Sequence, residues 1–379
     1  MADDASVHSM PMSPVSRGFS ADDVDDPISK ASSSDSARLK VSNLVSSTGV
    51  GWGYAAAVFV QILSILLLFG MSKTSVSSTI PLRMVLLLVG ICWFSFTIPA
   101  AFWIRDRPGP PLKSSSSGNL RSCFSYVAFS WVSIWKTVKT VAKLRQTLLF
   151  LVAWFLLSDA IATVSGTAIL FARTELEMGT VAIALLSITA TTSGISGAFL
   201  WPVISRKFGW RTNRTIVACI LLMELIPVYG LMGYIPFIKA RGVGGLQQAW
   251  EIYPLGVVHG FVMGGLSSHC RSFFGLLIPP GSEAAFYALY AITDKGSSAV
   301  GPAIVGRIVD VTGQIRPAFG FLAVLIALPI PLIWMVDVEK GQQDGIMVSR
   351  MMKRTGSFGL HDERMSSDSQ GDRLMRDHD

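Results

Sequence analysis

About eight stretches of this chain are long and apolar enough to cross a bilayer, near residues 52–71, 80–104, 147–171, 180–204, 214–236, 254–278, 284–309 and 316–336. A hydrocarbon core needs about 20 mainly apolar residues per helix, and backbone inside it must satisfy its own hydrogen bonds. The alternation of transmembrane strands is absent from these stretches, so an all-α transmembrane fold follows. Half of the 379 residues are hydrophobic and only 15% are charged, a balance foreign to a soluble domain of this length.

The formal net charge is +7. In a membrane chain, basic residues report orientation before they report a partner, so no nucleic acid is expected. The segment 105–146 holds Arg105, Arg107, Lys113, Arg121, Lys136, Lys139, Lys143 and Arg145, which marks it as a cytosolic loop. Ser205 to Arg214 adds Arg206, Lys207, Arg211 and Arg214, whereas the intervening loops are poorer in positive charge. This alternation predicts that both termini are cytosolic. The Ser/Asp-rich residues 1–45 carry no signal-peptide core and read as a disordered tail, as do residues 338–379. Between them lie two spans in 46–104, the basic loop 105–146 and six spans in 147–337.

Within the basic loop, Pro108 to Gly118 reads as a flexible linker. After it, Trp131, Trp135, Val138 and Ala142 share one helical face and Lys136, Lys139 and Lys143 another. Two readings stand, an interfacial helix on the cytosolic surface and a solvated connector. Gly256, Gly260 and Gly264 line one face of the sixth span, which allows close approach of a neighbouring backbone.

Ionisable groups at bilayer depth cost ~2.5–3.5 kcal/mol each on insertion scales and mark interiors or pathways. Asp294 and Lys295 sit side by side near the middle of one span, and Asp159 lies midway along another. Neighbours along a helix point in different directions, so each is expected to need its own partner. Asp159 with Lys295 is one possible pair, as a switch or as a fixed structural contact. Thr163, Tyr290, Thr293 and Ser297 complete the set of pathway candidates as neutral hydrogen-bonding groups. Glu224 is expected to turn inward or be protonated. His259 could titrate near neutral pH, and His269-Cys-Arg271 reads as an interfacial cluster. Asn213-Arg-Thr215 fits the glycosylation pattern but falls in a predicted cytosolic loop.

Cys92, Cys123, Cys219 and Cys270 are widely separated, with neither disulfide nor metal spacing. The absence of a phosphate loop, nucleophile elbow, zincin helix or catalytic carboxylate pair predicts no enzyme, no cofactor and no metal.

Three blocks carry a resemblance: Ser46-Ser-Thr-Gly-Val-Gly-Trp-Gly-Tyr54, Phe150-Leu-Val-Ala-Trp-Phe-Leu-Leu-Ser-Asp159, and Phe286-Tyr-Ala-Leu-Tyr-Ala-Ile-Thr-Asp-Lys-Gly-Ser-Ser298 with Gly301-Pro and Gly306-Arg-Ile-Val-Asp-Val-Thr-Gly313. Together they resemble the autophagy-related vacuolar amino-acid effluxers of fungi, a branch of the major facilitator superfamily. The resemblance implies a multi-pass vacuolar membrane protein exporting leucine, isoleucine and tyrosine to the cytosol, with substrate held between two halves near the midplane. The spans correspond to the family's helices five to twelve, and the first four have no counterpart. It therefore also leaves open a truncated, non-transporting fragment or interaction module. Ser205-Arg-Lys-Phe-Gly-Trp-Arg211 faintly resembles the superfamily's cytosolic latch, with Ser205 in place of its acid.

Overall fold

The computed structural model describes residues 27–72, 80–104 and 119–351, and among them every regular element is helical. The expected linker Pro108 to Gly118 and the outer parts of both tails lie outside the described residues. The chain divides into two units after Val41, and the second, from Ser42 onward, contains the bundle and its sites. In chain order the helices are α1 (Pro27–Ser72), α2 (Ile80–Trp103), α3 (Asn119–Lys143), α4 (Arg145–Thr174), α5 (Thr180–Lys207) and α6 (Thr212–Met232). Then come α7 (Pro236–Arg241), α8 (Ile252–Leu276), α9 (Glu283–Ser297), α10 (Val300–Thr312), α11 (Arg316–Ala327), α12 (Pro329–Met335) and α13 (338–351).

Among the described residues, six stretches meet the length and apolarity for crossing a membrane: Val41–Met71, Ile80–Trp103, Arg145–Thr174, Thr180–Lys207, Thr212–Met232 and Arg316–Met335. This is a helical membrane bundle. The other two expected spans are α8, diluted by His259, Ser267, Ser268, His269 and Arg271, and 284–309, which is divided into α9 and α10. Pro302 explains the division, because it has no N–H to give the Ser298 carbonyl one turn earlier. Ser298 and Ala299 keep right-handed dihedrals, so the chain bends without reversing.

The glycine stripe of α8 meets α5 as its spacing predicts. A Cβ on Gly260 would run into the Ala190 carbonyl, and one on Gly264 into backbone of Gly194 and Ala198. Gly197 of α5 is equally tight against the Phe261 carbonyl, which also accepts the Trp201 indole N–H at 3.1 Å. Close backbone approach replaces the hydrophobic drive that lipid cannot supply. Along its outer edge, α1 joins the same pair of helices. Gly51 lies under Phe199, and Gln61 Nε2 donates to Ser187 Oγ at 3.1 Å and Thr191 Oγ1 at 3.2 Å.

Polar ties fix both ends of the bundle. At one end, Arg316 donates to the Gly245 and Leu246 carbonyls at 3.1 Å, and Glu251 accepts the Gly244 N–H at 2.8 Å. Gly242, Gly244, Gly245 and Leu246 all have positive φ, and these charges hold the resulting tight loop. At the other end, Thr147 Oγ1 donates to the Leu277 carbonyl at 3.1 Å and the Asp337 N–H to Gln146 Oε1 at 3.0 Å.

The second end also corrects the expectation of a disordered tail from residue 338, since 338–351 is helical. Asp337 Oδ1 accepts the N–H groups of Glu339 and Lys340 at 3.1 and 3.3 Å, forming an N-cap. Gly341, Gly345 and Ser349 then lie one turn apart on a small-residue face against Leu277, Pro279 and Pro280, and Ser349 Oγ donates to the Pro280 carbonyl at 2.8 Å. The Lys340 backbone N–H and the other cap bonds hold the Asp337 carboxyl below the ordinary carboxylate range.

Candidate functional site

Helix α4 supplies the centre of the site. Its run Trp154, Ser158, Asp159 and Thr163 follows the helical period and faces α9 and α10, which answer with Tyr290, Asp294 and Gly301. Burial follows the same face, because Phe286, Tyr290, Ser297, Gly301 and Val305 point inward while Lys295 points away.

At the bend, the Ser158 hydroxyl lies 2.7 Å from Asp294 Oδ1 and 2.8 Å from the Asp294 carbonyl, dividing its one proton between them. The next residue reaches the other side of the break. Asp159 Oδ1 accepts the Gly301 N–H at 2.9 Å, in place of the carbonyl one turn back that a continuous helix would use. Asp159 is thus an N-cap lent by a neighbouring helix, and the positive end of α10 is a favourable place for its charge. Gly301 is required there, since a Cβ would sit 2.9 Å from Asp159 Oδ2 and closer still to Thr163 Oγ1.

Lys295 is placed differently from the expected Asp159 pair. Its Nζ lies 2.9 Å from Asp294 Oδ2, with the lysine side chain 84% exposed and the aspartate 26%. Adjacent side chains leave a helix in different directions, but the four-carbon stem is long enough to fold back. The two charges therefore partner each other, and Asp159 has the helix terminus instead.

The remaining candidates are locally satisfied. Thr163 Oγ1 donates to the Asp159 carbonyl at 2.6 Å, Thr293 Oγ1 to the Tyr290 carbonyl at 2.8 Å and Ser297 Oγ to the Asp294 carbonyl at 3.2 Å. Tyr290 is sandwiched between Trp154 (centroids 4.9 Å apart) and Phe274 (5.0 Å), and Phe274 stacks in turn on Phe150 at 5.8 Å. The Trp154 Nε1–H is buried with no acceptor. Sequence reasoning missed Trp154, Ser158 and Gly301. The signals present were the Ser-Asp doublet itself and Gly301-Pro302 inside a span.

Other expected polar residues lie elsewhere. His259 Nε2 is 3.1 Å from Ser165 Oγ, with its Nδ1 unpartnered. His269 and Cys270 are buried rather than interfacial, His269 Nδ1 lying 2.9 Å from the Gly265 carbonyl. Glu224 has one buried carboxylate oxygen without a partner. Asn213 Nδ2 donates to the Val336 carbonyl at 2.9 Å, a structural use for the residue of the glycosylation pattern.

An exposed ion pair beside the bend between α9 and α10, with Ser158 bonded to its carboxylate and Asp159 to the first turn of α10, thus sits in a bundle whose long helices have membrane-crossing length. The chain belongs to the family described as vacuole effluxer Atg22 like, whose model matches residues 7–346. It is 62% identical to autophagy-related protein 22 of Botryotinia fuckeliana, over 98% of this chain and 64% of that protein. It is 66% identical to autophagy-related protein 22-1 of Sclerotinia sclerotiorum, over 93% and 59%, and 64% identical to autophagy-related protein 22-2 of Aspergillus niger, over 86% and 56%. The chain thus spans less than two thirds of the length of these curated relatives.

Proposed function

We propose that this chain serves amino-acid export across the vacuolar membrane after autophagic breakdown, with leucine, isoleucine and tyrosine as substrates, within a major facilitator-type bundle that alternates its access. The observation that carries the proposal is the exposed Lys295–Asp294 pair at 2.9 Å, held from behind by Ser158. An α-amino acid presents a carboxylate and an ammonium on adjacent atoms. Inserted between the two side chains, it gives Lys295 an anion and Asp294 a cation, so two ion pairs form where one is broken. The gain is large only where water is scarce, as at bilayer depth. The reading requires no cofactor, no metal and no covalent step, and it sets both termini in the cytosol by the distribution of basic residues.

Vacuoles isolated from cells producing the chain or its Lys295→Ala variant at equal levels test the proposal. Leucine efflux should be lost in the variant and partly kept in Lys295→Arg. Equal efflux from all three would overturn the role of Lys295. No efflux from the unsubstituted chain would overturn transport by this chain and support an interaction module of the family.

A further inference from the structure

Helix α3 has three sides, and among the described residues only one of them meets protein. Ile134, Thr137, Val141 and, after the helix end, Leu144 form the docked side, which packs on α4 and α9. A second side exposes Phe124, Val127, Trp131, Trp135 and Val138, with Trp131 at 76%. Lys136, Lys139 and Lys143 form the third, next to the aromatic one, and Lys139 Nζ lies 5.9 Å from the Trp135 ring centroid. None of these lysines is ion-paired among the described residues, and no acidic residue occurs between Asp106 and Asp159 to neutralise them.

The joint with α4 sets the direction of α3. Leu144 has ψ 86, outside the helical range, so α3 leaves the axis of the membrane-crossing α4 where that helix begins. A helix turned off a span at its end, with an aromatic edge and an adjoining basic edge, matches the headgroup layer. Tryptophans prefer that depth, and lysine stems let the ammonium groups reach phosphates from it.

We infer that the aromatic and lysine sides of α3 form a binding surface for anionic phospholipid headgroups of the adjoining leaflet. The charge complementarity selects this occupant. A zwitterionic headgroup offers the ammonium groups a phosphate offset by its own cation, whereas an anionic one offers net charge to an unneutralised row. Each lysine near such a surface contributes roughly a fivefold change in association. The inference is independent of transport, and its failure leaves the Lys295 proposal standing.

The test uses the full chain in nanodiscs containing either brominated phosphatidylserine or brominated phosphatidylcholine in an unbrominated zwitterionic background. Bromine quenches nearby tryptophan, and subtracting the signal of Trp131→Phe/Trp135→Phe isolates those two positions. Quenching should favour phosphatidylserine severalfold. The preference should fall towards unity in Lys136→Gln/Lys139→Gln/Lys143→Gln and at high salt. Equal quenching by both lipids would overturn the inference, as would a preference that survives loss of all three lysines. Absence of quenching by either lipid would show that protein covers the aromatic side and would also overturn it. Inorganic phosphate added at the same anion concentration should leave the preference intact; if it abolishes it, the site recognises free anion rather than a membrane. Thermal unfolding of the lysine variant in phosphatidylcholine alone, matching the unsubstituted chain, separates loss of binding from loss of fold.

Discussion

Replacing Asp159 with alanine or with asparagine separates the two ways in which a buried carboxylate can act. In the structure its Oδ1 accepts the Gly301 N–H at 2.9 Å, at a point where Pro302 has already interrupted the helical ladder. Alanine leaves that donor unsatisfied in the interior, at ~1–3 kcal/mol, a range that overlaps the usual loss for an N-cap. At roughly 2–4 °C per kcal/mol for a domain of about 150–250 residues, the thermal midpoint should fall by about 2–12 °C. Asparagine keeps a carbonyl oxygen that can accept the same proton and gives up only the charge at the α10 terminus, ~0.3–1 kcal/mol. It should therefore lie close to the unsubstituted chain. The assay is thermal unfolding of the purified chain in one detergent, followed by tryptophan fluorescence because Trp154 and Tyr290 stack beside the clamp. Equal destabilisation by both substitutions would refute the cap, because it would show that the charge and not the hydrogen bond is what α10 requires. An unchanged midpoint in both would show that the bend needs no cap.

Three further outcomes rest on the same geometry. Gly260→Ala places a methyl against the Ala190 carbonyl, a backbone atom that cannot swing aside, so α5 and α8 must separate and thermal stability should drop by at least as much as a poorly packed core substitution, ~1–3 kcal/mol. Asp337 caps α13 and its folded carboxyl titrates below the ordinary range, so the stabilisation is complete above about pH 4 and is lost as pH falls through the folded value. The protection factor of the amides over 338–351, taken relative to intrinsic exchange at each pH, should fall under acid, and in Asp337→Ala it should be low at every pH. Trp154→Phe keeps the stack on Tyr290 and deletes an N–H that has no acceptor, so stability should be unchanged or raised.

The bundle was legible because apolar length is a strong signal, and so was the glycine face of α8, whose four-residue spacing carries its own explanation. The bend between α9 and α10 was written in Pro302, yet mean apolarity over 284–309 hides a single lost hydrogen bond. The pairing of charges was harder. Helix geometry sends Asp294 and Lys295 apart, and only the flexibility of the lysine stem, which no spacing records, brings them to 2.9 Å. Residues 338–351 are polar and serine-containing enough to read as a tail. Their small-residue face becomes meaningful only when Pro279 and Pro280 lie beneath it.

Two adjacent residues of α4 hold opposite sides of one discontinuity. Ser158 binds the last full turn of α9 and Asp159 the Gly301 N–H in the first turn of α10, which a continuous helix would have used internally. Because Ser158 belongs to α4, α9 cannot rotate about its axis without straining the serine bond, whereas the Lys295–Asp294 pair lies within α9 and turns with it. A ligand that draws Lys295 from Asp294 leaves the carboxylate held by Ser158 and open to a cation. The same event thus changes the electrostatics on the open face and the loading of the clamp behind it. On the proposed amino-acid binding, ligand occupancy and the position of α9 would be coupled at this bend, and a substitution at Ser158 or Asp294 should alter both.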